Sequence, residues 1–166
     1  MDIVDKTTTL TLSPKIVDAL NKILPEFCQD WNIPVPTISF VQRWWVSKSP
    51  IKIYVYETKL PSKGVHMQEN GVPYAKIYLK NTRDVHIISH EIFELLVNPV
   101  FDQRFEKDGI GYKKEVCDPV SKVFCVDGTP ISDWILPSWF GGSPPYNHLN
   151  TLSTPFSLDG GYLELQ

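Results

Sequence analysis

The stretch His86-Ile-Ile-Ser-His90-Glu91-Ile-Phe-Glu94 contains the residues best suited to chemistry in this chain. Residues four apart lie on the same face of an α-helix, so His90 and Glu94 can bind one metal ion together. Glu91 is rotated by about 100° around that helix and reaches the edge of the same site. Zinc binds imidazole nitrogen and carboxylate oxygen, and a carboxylate beside it can accept a proton from the reacting water. The stretch is the His-Glu-x-x-His metalloprotease helix with glutamate in place of the second histidine, and it predicts a Zn²⁺ site with Glu91 as general base.

The helix that would present these groups is apolar on nearly all sides. Its apolar side chains are Val85, Ile87, Ile88, Ile92, Phe93, Leu95, Leu96 and Val97. A helix that is hydrophobic all round is usually buried, and buried imidazoles and carboxylates need partners of opposite charge. A solvated helix that carries His-Glu-x-x-Glu by chance would not have this apolar surround. The pattern therefore favours a metal site.

A third ligand must come from a later part of the chain, since catalytic zinc usually has three protein ligands. Glu115 and Asp118 are the candidates, because the chain between Glu94 and Glu115 is long enough to turn and return. On a regular strand these two residues would face opposite sides. One would then bind the metal and the other would orient His90, and Pro119 favours a break near Asp118. The alternative for Glu115 is a surface role.

Other polar residues are weaker candidates for the site. Cys117 is chemically suited to zinc. His86 lies one helical turn before His90, but we do not expect it to be a ligand because a zinc-binding helix normally supplies two. His66, in a predicted loop, could donate a proton or a hydrogen bond to a reacting carbonyl. Tyr112 could stabilise an oxyanion. His148 is expected to be an exposed loop histidine.

Composition and charge limit the function classes. The chain has 166 residues and a net charge of −3, which gives no electrostatic reason to bind nucleic acid or an anionic membrane. No apolar run approaches the ~20 residues of a membrane span, and the N-terminus has no secretory signal pattern. Cys28, Cys117 and Cys125 cannot all pair within one chain, and we expect reduced thiols and a cytoplasmic location.

Periodicity predicts one helix near the N-terminus and mostly strands around it. Ser13 and Pro14 start this helix, which extends to about Gln29. The predicted strands are 7–12, 37–46, 51–57 and 72–79, with 59–71 as a polar connection between the last two. Pro73 indicates that the strand 72–79 lies at a sheet edge or that the proline lies at its start. Trp44 and Trp45 are predicted to pack inside the protein.

After the strand 72–79, the sequence predicts the helix that carries His90 and then a C-terminal part with short strands. Asn81 or Thr82 would cap the helix, and Asn98-Pro99 would end it. The segments 111–117 and 120–126 suggest a hairpin, and the turn Asp127-Gly128 leads into a third short strand. Many of the prolines follow residue 98, which predicts a loop-rich C-terminal third, with coil from residue 134 onward.

Together these motifs resemble a family of uncharacterised phage and bacterial proteins with a zincin-like metallopeptidase fold. The matching stretches, in order through most of residues 30 to 165, are Gly64-Val65-His66, Gly71-Val72-Pro73-Tyr74-Ala75-Lys76-Ile77, Ser89-His90-Glu91 with Glu94, Glu115-Val116-Cys117-Asp118-Pro119, Ile131-Ser132-Asp133-Trp134, Pro137 with Trp139-Phe140, Pro155-Phe156 and Gly160-Gly161-Tyr162. Val65 replaces the family's usual tyrosine and Asn98 its aspartate, and neither is a proposed ligand. A fainter similarity, limited to the two acidic motifs, extends to exordium-type plant proteins.

The resemblance implies an α+β, zincin-like single domain over residues 1–166. It would contain a small mixed β-sheet, an N-terminal helix, a buried metal-site helix and the loop-rich C-terminal third. His66 belongs to the family pattern, which strengthens its expected place near the site, whereas His86 does not. Phage relatives imply a host cytoplasm or a virion as the location.

The leading functional expectation is a zinc-dependent hydrolase that cleaves a peptide or protein substrate. An extended peptide could add to the strand 72–79 by backbone hydrogen bonds. Two carboxylate ligands put more negative charge on zinc than histidines do, so we expect weaker water activation than in His-Glu-x-x-His enzymes. The alternative is a non-enzymatic virion or assembly protein that binds another virion protein. Such a protein would keep a structural metal site or a degenerate peptidase fold.

Overall fold

A five-stranded mixed sheet forms one layer of the protein. In the computed structural model, which describes residues 1–166, its strands are β1 (Asp2–Asp5), β2 (Ser39–Val41), β3 (Lys52–Glu57), β4 (Lys63–Glu69) and β5 (Val72–Leu79). Their order across the sheet is β2-β1-β3-β5-β4. The pairs β1–β2, β1–β3 and β3–β5 are parallel, whereas β4 runs antiparallel to β5. The sheet therefore ends in an antiparallel edge strand, β4.

Two α-helices and two small hairpins complete the structure. The helices are α1 (Lys15–Trp31) and α2 (His86–Val97), and the hairpin strands are β6 (Arg104–Lys107), β7 (Ile110–Lys113), β8 (Val123–Val126) and β9 (Thr129–Ser132). Two short 3₁₀ turns lie at Thr82–Asp84 and Pro137–Phe140. The fold is thus a mixed α/β structure with a loop-rich C-terminal part, as the sequence predicts. Neither helix is long and apolar enough to cross a membrane.

Alternation along the central strands separates a buried face of the sheet from an open one. In β3, Ile53 and Val55 are fully buried, whereas Tyr54 and Tyr56 between them are half-buried. One hydrophobic cluster contains these buried strand residues together with apolar residues of both helices. Since side chains alternate between the two faces of a strand, the sheet has one apolar face, which packs on the helices.

Aromatic packing fixes α2 against α1. The rings of Phe27 in α1 and Phe93 in α2 stack with centroids 4.3 Å apart. Trp134, from the loop after β9, contacts both rings edge-on, at 5.4 and 5.2 Å. Its indole N–H donates to the Asp30 carboxylate at 3.1 Å, so the only polar atom of this large side chain has a partner. Phe93 is followed directly by Glu94, and this packing therefore also fixes the metal-site face of α2.

The C-terminal loops are held by one buried polar network around Asp133. Its carboxylate accepts hydrogen bonds from the Asn147 amide at 2.6 Å and from the backbone N–H of Trp134 at 2.9 Å. Asn147 in turn accepts from the backbone N–H groups of Thr151 and Leu152. Because loops lack the hydrogen bonds of regular elements, such side chains replace them.

Two strand predictions for the N-terminal half are wrong. Residues 7–12 form no strand, because the carboxylate of Glu57 accepts the backbone N–H groups of Thr8 and Thr9, at 2.6 Å each. The first strand is β1 instead. The predicted strand 37–46 is reduced to β2, and the chain leaves the sheet after it. Trp44 and Trp45 are consequently 78% and 72% exposed and do not pack inside, contrary to the prediction.

The prediction of a polar connection over residues 59–71 is also wrong. Most of that segment is β4, which pairs with β5 through a tight turn at Asn70 and Gly71, both with positive φ. Asn-Gly between two strands is a strong hairpin signal. β5 is therefore an interior strand, and Pro73 lies near its start rather than at a sheet edge. The edge strand on this side of the sheet is β4.

The C-terminal hairpins differ in register from the prediction. Segments 111–117 and 120–126 do not pair, because β7 pairs with β6 and β8 pairs with β9. The predicted turn at Asp127-Gly128 is confirmed and connects β8 to β9. The α1 start is also confirmed to within a residue, since the helix begins at Lys15, whose N–H donates to the Ser13 hydroxyl. Asn81 caps the short 3₁₀ turn before α2 by accepting the N–H of Arg83, whereas α2 itself follows Val85 with no side-chain cap, so the prediction that Asn81 or Thr82 caps this helix is wrong.

A glycine near the C-terminus lets two segments of backbone touch. A Cβ atom on Gly161 would lie 1.9 Å from the carbonyl oxygen of Asp118, far inside contact distance. The next residue, Tyr162, donates its backbone N–H to that same oxygen at 2.9 Å. The C-terminal segment therefore supports the loop that carries Asp118, and only glycine allows this approach.

We expect Gly161→Ala to lower the free energy of unfolding by about 1–3 kcal/mol, because the added methyl group must push two backbones apart. Urea unfolding followed by tryptophan fluorescence measures the change. Gly111→Ala is the matched control, since its Cβ would meet only the end of the Gln166 side chain. Equal free energies of unfolding for the two variants would contradict the close approach of Gly161 to the Asp118 carbonyl.

Candidate metal centre

Helix α2 and the loop after β7 bring two carboxylates to one nitrogen of His90. The Nε2 atom lies 3.2 Å from Oε1 of Glu94 and 3.2 Å from Oδ1 of Asp118. Both carboxylates are only 3–5% exposed, whereas the His90 side chain is 24% exposed. The i, i+4 pair thus faces the acidic residue that returns from later in the chain, as expected for a metal-binding helix.

The loop that carries Asp118 is irregular, and this changes which side chains face the helix. Strand β7 ends at Lys113, and the chain turns at Cys117, whose carbonyl accepts the N–H of Val120 at 3.1 Å. Glu115 and Asp118 therefore both line the same cavity, although on a regular strand they would face opposite sides. The strand ends before Glu115, so the limit that a regular strand would set on the two residues does not apply, and which of them binds a metal stays a prediction.

His66 lies on the edge strand β4 and not in a loop. Its neighbour across the ladder is Ala75 of β5, a fully buried residue, so the imidazole points towards α2. Nδ1 lies 3.4 Å from Oε2 of Glu91 and 3.8 Å from Oε2 of Glu94, and Nε2 lies 3.5 Å from Oε2 of Glu115. His66 is thus in contact with three carboxylates of the site.

The side chain of Glu91 projects from α2 towards Gly64 of β4, at the boundary between the buried cluster and solvent. A Cβ atom on Gly64 would lie 2.3 Å from Oε1 of Glu91, so a glycine is needed there for the carboxylate to fit. The residue is 5% exposed. It lines both the buried cavity, of about 110 Å³, and an open groove of about 310 Å³. This position is the one expected of a proton acceptor at the edge of a metal site.

Ser132 at the end of β9 contacts the second ring nitrogen of His90, and its spacing from the other site residues does not predict this. Its hydroxyl oxygen lies 3.5 Å from Nδ1 of His90. Its backbone N–H donates at 2.9 Å to the hydroxyl of Ser89, the residue before His90. A hydrogen bond to the second nitrogen fixes the ring orientation of a metal-binding histidine. The clue that could have found Ser132 is its place in the stretch Ile131-Ser132-Asp133-Trp134, one of those on which the resemblance described above rests.

Tyr162 is the tyrosine at the site, and Tyr112 is not. Tyr112 stacks on Phe105 with ring centroids 5.4 Å apart and lines neither the cavity nor the groove. Tyr162 lines both, and its backbone N–H donates to the carbonyl oxygen of Asp118 at 2.9 Å. The oxyanion role considered for Tyr112 therefore finds no support at that residue. Tyr162 is distant in sequence from the other site residues, which is why spacing did not reveal it.

The remaining candidates have other contacts. The thiol of Cys117 lies 3.8 Å from the backbone carbonyl of His90, and its backbone N–H donates to Oε1 of Glu94 at 3.2 Å. His86 lines the open groove but not the buried cavity. His148 stacks on Trp134 at 4.0 Å and pairs with Glu26, so it is a packing residue rather than an exposed one. All three cysteines are free thiols.

Burial and nearby charge shift the pKa values of three groups at the site. Burial works to lower the pKa of His90, but the nearby Glu94 and Asp118 outweigh it and raise this pKa well above its ordinary value. Burial raises the pKa of Glu115 to about 8, and Glu94 adds to the effect while His66 opposes it. Burial also raises the pKa of Cys117 well above its usual value, so the thiol is neutral.

Two sets of residues have the separation that a metal ion needs. One ligand atom each from His90, Glu94 and Cys117 lie within 4.8 Å of one another, and so do atoms from His66, Glu94 and Glu115. Asp118 is an additional neighbour of His90, as described above. Glu94 belongs to both sets. The predicted ligands His90, Glu94, Glu115 and Asp118 are thus brought together in one place.

No family model, curated protein or solved structure matches this chain.

The acidic cluster should make the metal-free protein less stable as the pH rises. Glu115 ionises at its ordinary pKa when unfolded and near 8 when folded, so between these values the folded state binds more protons. Stability then decreases with increasing pH in that window, because protons favour the state that binds them. In EDTA, we therefore expect the free energy of unfolding of Glu115→Gln, relative to that of the wild type, to increase by on the order of 2 kcal/mol as the pH is raised from 5 to 8.

Urea unfolding of both proteins at the two pH values measures this gain. The exposed Glu106→Gln in β6 is the control and should follow the wild type at both pH values. If the free energies of unfolding of Glu115→Gln and the wild type differ by the same amount at both pH values, Glu115 is ionised in the folded protein throughout this range.

Proposed function

We propose that this protein is a zincin-like, zinc-dependent hydrolase that cleaves peptide bonds. The observation that carries the proposal is the position of His90 Nε2, 3.2 Å from carboxylate oxygens of Glu94 and Asp118, with Glu91 beside them at an open groove.

Two of the donor distances are close to those of a tetrahedral zinc ion. With bonds of about 2.1 Å, two ligand atoms of such a site are about 3.4 Å apart. The two 3.2 Å distances from His90 are close to this value. Asp118 is a better third ligand than Cys117, because the neutral thiol already faces the His90 carbonyl. We therefore assign His90, Glu94 and Asp118 as the ligands and place Glu115 beside them.

When bound there, zinc would polarise a substrate carbonyl and acidify water at the site. Glu91 would take a proton from the attacking water at its carboxylate and deliver it to the amine that leaves. His66 Nδ1, 3.4 Å from Glu91 Oε2, would orient that carboxylate. Tyr162, at the edge of the groove, would donate its hydroxyl proton in a hydrogen bond to the carbonyl oxygen of the substrate.

The edge strand β4 supports a peptide as the substrate. Its first residues, Lys63 and Gly64, line the groove together with His90 and Glu91. Only one side of β4 is paired, with β5, so its outer backbone groups can bond an extended chain. An extended peptide bound there would pass Glu91. This role was expected for the strand 72–79, which the sheet order excludes because that strand is interior.

An open site also argues for catalysis over a purely structural metal. Structural zinc sites are closed by four protein ligands, whereas catalytic sites keep one position for water. His90 is partly exposed, and the groove reaches both His90 and Glu91. A virion or assembly protein with a structural ion would not require this access.

We expect Glu91→Gln to reduce hydrolysis of a fluorescence-quenched peptide library by at least about 100-fold, since a general base contributes about 10²–10⁴-fold. Zinc content, measured by elemental analysis of the same samples, should stay at the wild-type level. Glu106→Gln should be as active as the wild type. If Glu91→Gln cleaves peptides normally, Glu91 is not the base, and if it loses zinc, Glu91 is a ligand.

A further inference from the structure

A second group of metal-binding atoms lies on the other side of Glu94. One atom each from His66, Glu94 and Glu115 lie within 4.8 Å of one another, and all three residues are buried. The two oxygens of Glu94 point to different histidines, because Oε1 lies 3.2 Å from Nε2 of His90 and Oε2 lies 3.8 Å from Nδ1 of His66. A carboxylate in this position can bridge two ions.

Two atoms of this group have no hydrogen-bond partner in the protein. They are Nε2 of His66 and Oε2 of Glu115, 3.5 Å apart in residues that are 4% and 5% exposed. Buried polar atoms nearly always have a partner, because leaving them unpaired is unfavourable. Both residues line the buried cavity of about 110 Å³. The two unpaired atoms therefore point to a missing ligand between them.

The surroundings hold the His66 ring in a fixed orientation for such a ligand. Phe101 stacks on the imidazole with centroids 4.3 Å apart and an angle of 11° between the planes. Phe101 itself has a φ of 59°, an unusual conformation for a bulky residue. The other ring nitrogen, Nδ1, is 3.4 Å from Glu91. A metal-binding histidine commonly donates its second N–H to a carboxylate in this way.

The charges of the cluster also call for more than one cation. Glu91, Glu94, Glu115 and Asp118 are each no more than 5% exposed. Ligands lose their protons when they bind a metal, so in the metal-loaded state these four carboxylates and two neutral histidines would place four negative charges around the cavity. Lys113, the lysine that lines the cavity, pairs with Glu164. With only one divalent ion bound, two of these charges would remain to be balanced by protons. A second divalent ion would balance them.

We propose that His66, Glu94 and Glu115 bind a second divalent cation, which Glu94 bridges to the ion at His90 and Asp118. The inference rests on the proposed function for the first ion. One nitrogen and two carboxylate donors suit Zn²⁺ or Mn²⁺. Bridged pairs of this kind in hydrolases have their ions about 3.5–4 Å apart.

Manganese provides a test that does not depend on catalysis. The full chain is stripped with EDTA, loaded with excess Mn²⁺ and desalted. Elemental analysis then gives the number of ions per chain, and electron paramagnetic resonance shows whether they are coupled. We expect two ions per wild-type chain and a spin-coupled signal. Glu115→Gln and His66→Gln should each bind one ion with an uncoupled signal, and His86→Gln, the matched histidine control in the groove, should bind two.

The outcomes separate this inference from the proposed function. One ion per wild-type chain would overturn the second site, even if the protein cleaves peptides. Two ions that persist in both Glu115→Gln and His66→Gln would overturn it as well. Two coupled ions in a protein that does not hydrolyse peptides would support the second site and contradict the proposed function. Glu115→Gln preserves size and shape, so a folding failure of His66→Gln would still leave a decisive variant.

Discussion

Negative charge buried in an apolar interior is the constraint on which the structure around α2 depends. The helix is enclosed by the sheet, by α1 and by the loops after β9, yet it carries Glu91 and Glu94. The loop after β7 adds Glu115 and Asp118 to the same cavity. Such groups are tolerated only when positive charge is close, either as protons on neighbouring groups or as metal ions. The raised pKa values of His90 and Glu115 are the response to this constraint in the metal-free state.

The rest of the fold holds this charge in place. Stacking between Phe27 and Phe93 fixes α2, and the Ser132 hydroxyl contacts Nδ1 of His90. Glycine at 64 makes room for Glu91, and glycine at 161 lets the C-terminal segment support the Asp118 loop. These contacts come from distant parts of the chain, so the site exists only when the whole fold is formed. Preorganisation of this kind is what a binding or catalytic site needs.

How far the sequence predicts the site depends on the distance between the residues involved. His90, Glu91 and Glu94 lie within one helical turn, and helix geometry relates them directly. Glu115 and Asp118 were found as candidates, but their joint position depends on where β7 ends, which periodicity does not determine. β4 was missed because most of its residues are exposed, although Asn70-Gly71 indicated a hairpin. Tyr162 and Ser132 reach the site only through tertiary contacts, which no local pattern contains.

The most direct test of the central claim, that α2 and Asp118 bind a cation together, is calorimetric titration of EDTA-stripped protein with Zn²⁺. We expect Asp118→Asn to weaken the tightest binding event by at least about 100-fold, since removing a ligand costs more affinity than the ~10–100-fold lost when a residue that only hydrogen-bonds a ligand is removed. Cys117→Ser should leave that event unchanged. Zinc binding that survives in Asp118→Asn and is lost in Cys117→Ser, or no binding in the wild type, would contradict the account.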